Sequence, residues 1–196
     1  MRTPIMAGNW KMNGTADFAK EFLDNIEVPE DIADKRQVVI CAPFTLLPFL
    51  NGYGRKSIDY LEIGAENVHP EPEGAYTGEI SVEMIKDCGC NFCIIGHSER
   101  REYFAETDGF INAKMNALLD AEIIPIICVG ETLEQREADE TEEVVGRQVA
   151  ESILASKDDK DLSEIVVAYE PVWAIGTGKT ATKEQAQEMC ALIRTQ

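Results

Sequence analysis

The chain has 196 residues, 44% of them apolar, with 18 basic against 36 acidic side chains and a net charge of −18. That length suits one sizeable domain, and the acidity excludes nucleic acid and anionic membrane surfaces as partners, since both are held by Lys and Arg. An anionic substrate would have to be bound locally, by a single lysine or by backbone N–H groups.

No apolar run approaches the ~20 residues that cross a bilayer. The opening stretch, MRTPIMAGNWKMNG, lacks the long apolar core of a secretory leader and reads as mature sequence. Six cysteines, at 41, 88, 90, 93, 128 and 190, fit free thiols in a reducing compartment better than a disulfide scaffold, so a cytoplasmic location is expected.

In chain order, short apolar runs alternate with longer charged, amphipathic ones. Strands are predicted at 4–10, 37–43, 61–67, 91–96, 123–130 and 164–170, several of them continuously apolar, as parallel strands buried on both faces are. Helices are predicted at 15–26, 44–53, 79–88, 104–121, 132–156 and 182–195. The acidic 132–156 stretch reads as one long solvated helix, and Thr182 with Gln185 as a capping box opening the last helix. Six β–α units and no low-complexity linker imply a single α/β domain over 1–196 with a parallel sheet. Pattern alone leaves open whether that sheet is doubly wound or a barrel. Six units favour the open sheet, because a (β/α)8 barrel takes about 250 residues.

In either architecture chemistry belongs beyond the carboxyl ends of the strands, and the unusual residues fall there. Strand 1 runs into Asn9, Trp10 and Lys11, strand 3 into Glu66 and Asn67, strand 4 into His97 and SERRE, strand 5 into Gly130 and Glu131, and strand 6 into Glu170. A lysine, a histidine and a carboxylate are the parts for taking a proton from carbon beside a carbonyl and stabilising the oxyanion. If a short helix starts near Ser98, its positive dipole end disfavours protonation of His97. A neutral imidazole could then donate to a carbonyl oxygen.

The segment YEPVWAIGTGKTAT (169–182) invites a nucleotide-loop reading, but GxxxxGK[ST] would need a glycine where Trp173 stands. A lid hinged on short Gly-containing stretches fits better. CGCNFC (88–93) offers three cysteines, short of the four ligands of a structural zinc site, and Cys93 and Cys128 read as small core residues.

AGNWKMNG (7–14), NVHPEPEGAYTGEIS (67–81), IIGHSERR (94–101), CVGET (128–132) and AYEPVWAIGTGKTAT (168–182) together resemble the triosephosphate isomerase family, in order and spacing. The resemblance implies a TIM barrel interconverting dihydroxyacetone phosphate and glyceraldehyde 3-phosphate in glycolysis and gluconeogenesis, with no metal or organic cofactor. It implies Glu170 as the base, His97 as the neutral electrophile, and Lys11 with Asn9 binding substrate. Glu99 would be a supporting acid near Lys11, and Gly176 would offer its N–H to the phosphate when the lid closes. The family is itself a standard illustration of these roles. The 67–81 loop would project into a second subunit, with Thr77 reaching toward that subunit's catalytic residues, so a C2 homodimer is expected.

Three departures stand out. Glu66 occupies a position usually held by glutamine in the family, and Pro70 follows His69 where tryptophan is common. The chain also stops at Gln196, before the family's seventh and eighth units, so it reads as a fragment or truncation with an open, six-stranded partial barrel. On that reading the 196 residues alone are weakly active or inactive and prone to associate. A nucleotide-binding module is the distant alternative.

Overall fold

The computed structural model describes residues 3–27, 36–58, 60–175 and 177–196. All six expected strands form: β1 (Ile5–Asn9), β2 (Gln37–Ala42), β3 (Leu61–Ala65), β4 (Phe92–Ile95), β5 (Ile124–Val129) and β6 (Val166–Tyr169). They lie in chain order in one sheet, with β1 and β6 at its edges. The β1–β2, β2–β3, β3–β4 and β5–β6 pairs are parallel. Each crossover needs a helix-length connection, which is why charged amphipathic segments separate the apolar runs.

The helices are α1 (Ala16–Asn25), α2 (Val82–Asp87), α3 (Ser98–Tyr103), α4 (Asp108–Asp120), α5 (Leu133–Glu137), α6 (Thr141–Ser152) and α7 (Lys183–Thr195). Short helical turns of mixed pitch fill 44–57. The capping box at Thr182 and Gln185 is present, and a second one joins Thr132 and Gln135.

Three helix expectations need correction. The 79–88 helix starts only at Val82, because the Ser81 side chain takes the Met84 N–H and caps it there. The 104–121 helix starts at Asp108 and is preceded by the separate α3. The 132–156 segment is not one solvated helix. It breaks between α5 and α6, where Asp139 turns left-handed (φ 58°), and α6 buries Val144, Val145, Gln148, Val149 and Ser152.

The chain forms two compact units, Met1–Ile94 with Ala117–Pro125, and Ile95–Asn116 with Ile126–Gln196. The first is built on β2 and β3, whose side chains from Val38 to Ala42 are buried with Leu61, Ile63 and Ala65. Strand packing there is tight enough that a Cβ on Gly64 would sit 2.4 Å from Cys41 Sγ. In the second unit Val129, Val145, Val149 and Met189 form a core against Val167, Tyr169, Leu192 and Ile193. That unit also holds buried charge. Lys114, wholly buried, bonds Glu106 Oε1 at 2.5 Å, and the same oxygen takes Arg100 Nε at 2.6 Å. A lysine removed from water needs such partners, since the isolated charge would cost several kcal/mol.

Candidate active site

In the second unit, β4 gives way to Gly96, whose φ of +68° turns the chain from strand into α3. A side chain there would press on Ile111, with Cδ1 at 3.1 Å and Cγ2 at 3.2 Å. His97 is the N-cap of α3, which starts at Ser98, as the dipole effect on His97 requires. The residue is 7% exposed, and its Nδ1 accepts the Glu99 backbone N–H at 3.2 Å. A ring nitrogen that accepts carries no proton, so this bond assigns the proton to Nε2 and leaves the ring in its neutral tautomer. The Glu99 carboxylate, 41% exposed, lies 3.6 Å from Nδ1 and beyond direct hydrogen bonding.

Glu170 follows β6, and its N–H extends the β5–β6 ladder to Val129 O at 2.8 Å. Its Oε1 is 2.7 Å from His97 Nε2, and its Oε2 accepts the Ser98 N–H at 3.0 Å. The Ser98 hydroxyl donates to Oε1 at 3.3 Å. Burial pushes the carboxyl's pKa up, but the bonds from His97 and Ser98 outweigh it and leave Glu170 below its ordinary value. It is therefore ionised, and both oxygens are occupied.

Around this pair the end of β5 acts as a hub. Glu131 is wholly buried and accepts from Tyr169 Oη at 3.0 Å, Trp173 Nε1 at 3.0 Å and Arg136 Nη1 at 2.9 Å. It thus ties down the residue before Glu170 and a residue three after it. Burial, and then the neighbouring Glu131 carboxylate, push the Tyr169 hydroxyl pKa well above its usual value, so it stays a donor. Arg101 joins the two strand ends, with Nε on Gly96 O at 2.8 Å and Nη2 on Cys128 O at 3.2 Å. Asp108 neutralises Arg101 and also binds Arg147.

In the sequence Glu131 stands out only as a strand end, and Ser98, Arg101 and Gln148 do not stand out as site residues. For Gln148 a signal existed: it is an amide on the helix face that also carries Val144, Val145, Val149 and Ser152. For Ser98 the signal was its place in the first turn after a strand.

The expected binding residues belong to the first unit. Asn9 ends β1, and its Oδ1 accepts the Lys11 N–H at 3.0 Å. Lys11 is left-handed (φ 53°), while Trp10 packs edge-on against Phe18 and Phe22, each 5.3 Å away. Asn9 and Lys11 are thus brought together in one tight turn. Thr77 lies exposed in the 67–81 loop, whose ends are pinned by the His69 N–H bonding Ile80 O at 2.8 Å. There the His69 ring packs on Tyr76 at 4.1 Å. Gly176 lies outside the described residues.

The cysteines are free thiols. Burial raises Cys41, helped by Glu66, and pushes Cys90 up to about 12. Such thiols pack as small apolar groups. Among the described residues no group of three or more His, Cys, Asp and Glu is placed to hold a metal, and no helix is long and apolar enough to cross a membrane.

Comparison with known proteins agrees with the motifs. The family model described as Triosephosphate isomerase matches residues 4–196. A triosephosphate isomerase of Moorella thermoacetica is 49% identical over 194 residues, covering 99% of this chain and 76% of that protein. One from Endomicrobium trichonymphae is 48% identical with the same coverage. The chain belongs to the triosephosphate isomerase family, and its six parallel β/α units are those of the TIM (β/α)8 barrel fold.

Proposed function

We propose that this chain carries the proton-transfer machinery of an aldose–ketose isomerase that interconverts dihydroxyacetone phosphate and glyceraldehyde 3-phosphate. The observation that carries the reading is the 2.7 Å contact between an ionised Glu170 and the Nε2–H of a neutral-tautomer His97. In this resting arrangement the base is parked. Substrate takes over the Nε2–H with its carbonyl oxygen, and Glu170, released from Ser98, swings to the adjacent carbon. The carboxylate removes the carbon proton while His97 stabilises the developing oxyanion. The hydroxyl proton of the enediolate passes from one oxygen to the other beside His97, and Glu170 returns the carbon proton to the neighbouring carbon, which completes the exchange.

Lys11, on the left-handed turn after β1 with Asn9, supplies the positive charge that a phosphorylated triose needs in a chain of net charge −18. Gly176 offers its N–H to the phosphate, Glu99 is the supporting acid near Lys11, and Thr77 presents the loop through which two copies form a homodimer. The reaction runs without cofactor, in the cytoplasm, as a step of glycolysis and gluconeogenesis.

A coupled assay of the triose phosphate interconversion tests this. Glu170→Asp shortens the base by one methylene and is expected to lower kcat on the order of 100-fold or more, the effect of misplacing a reacting group by about 1 Å. Unimpaired turnover in that variant removes Glu170 as the base.

A further inference from the structure

Gly130 stands one residue beyond β5, with its Cα pressed on the backbone of Glu170. A Cβ there would fall 1.8 Å from the Glu170 carbonyl oxygen and 2.8 Å from its carbonyl carbon. The position of Gly130 therefore decides the position of the Glu170 backbone. Both polar groups of Gly130 are held by one side chain. Gln148, on α6 and 6% exposed, accepts the Gly130 N–H with Oε1 at 2.8 Å and donates from Nε2 to the Gly130 carbonyl at 3.1 Å. A buried amide among valines is costly unless both ends are bonded, and here both bonds go to a single residue. The planar amide presents donor and acceptor as a neighbouring strand would, and so extends the ladder by one step.

We propose that Gln148 is a positioning residue for the catalytic base: by clamping Gly130 it fixes the surface on which Glu170 rests, and so aligns the carboxylate with His97 and Ser98. The proposal rests on Glu170 being the base. It makes α6 the support for the reacting carboxylate.

Two variants of the full chain test it. Gln148→Met keeps the length and removes both hydrogen bonds. Gln148→Glu keeps the shape and the acceptor but sets a carboxylate oxygen against the Gly130 carbonyl. Two readouts are followed, kcat and KM for the triose phosphates, and the titration of the Glu170 carboxyl by carbon NMR. The expected result is a fall in kcat on the order of 10-fold or more with KM unchanged. The Glu170 titration should move up toward the ordinary carboxylate value as its bonds to His97 and Ser98 loosen. Variants that only unfold more easily, with kcat and the titration unmoved, overturn the proposal. If Gln148→Met fails to fold, Gln148→Glu decides alone. Should the unmodified chain fail to turn over triose phosphate, the functional reading falls, and the titration still decides whether Gln148 sets the carboxylate.

Discussion

Glu170 owes its ionised state to neighbours rather than to water. Burial alone would favour the neutral acid, and the donors His97 and Ser98 reverse that. The sign of the consequence for stability follows directly. The folded carboxyl titrates below its ordinary value near 4.5, so its contribution to stability is full above that pH and is lost as pH falls through the folded value. The gap in unfolding free energy between the unmodified chain and Glu170→Gln should therefore be constant from neutrality to about 4.5 and shrink in acid. Denaturant titrations across that range check it, and a gap that widens in acid contradicts it. At this scale the sequence offered candidate residues and was silent about how they are held. HSERR and YEPVW mark His97 and Glu170, but nothing in them says that Ser98 gives both its N–H and its hydroxyl to the carboxylate. Lys11 likewise adopts a left-handed conformation with no glycine to announce it.

Between elements, the critical contact is the end of β5 against the end of β6. Gly130→Ala would place a methyl group well inside van der Waals contact of the Glu170 carbonyl, so the two strand ends must separate. Overpacking of this kind costs typically ~1–3 kcal/mol, and here it also displaces Glu170, the proposed base. The expected outcome is a lower denaturant midpoint together with a fall in kcat, and a variant of full activity would show that the strand ends can part harmlessly. The strands themselves were legible, because parallel strands buried on both faces appear as apolar runs bounded by polar ones. Helix ends were less so. The break between α5 and α6 falls at Ala138 and Asp139, with neither glycine nor proline to mark it. One unbroken helix was expected because acidic composition hid the valine stripe that carries Gln148.

For the whole molecule, the proposed homodimer must form between two chains that each carry a charge of −18. Salt screens exposed charges over about 10 Å at 0.1 M, so association through the pinned 67–81 loop should strengthen as ionic strength rises from a few millimolar. Sedimentation velocity at low and at physiological salt is expected to show two-subunit species, more of them at higher salt. A monomer under both conditions ends the dimer proposal. Fold class was within reach of pattern only as far as α/β with a parallel sheet. The count of six units favoured the open sheet, and the choice of barrel over doubly wound sheet came from the motifs against it.

The two tryptophans sit in contrasting surroundings. Trp10 meets the edges or faces of two phenyl rings in the turn after β1, whereas Trp173 gives its indole N–H to buried Glu131 beneath the Arg136 guanidinium, 4.9 Å from the ring. An indole bonded to a carboxylate and one half-buried against two phenyl rings differ in the polarity that their excited states sense. Fluorescence from this chain therefore carries two separable signals, one from the lysine-bearing turn and one from the short helical turn after Glu170.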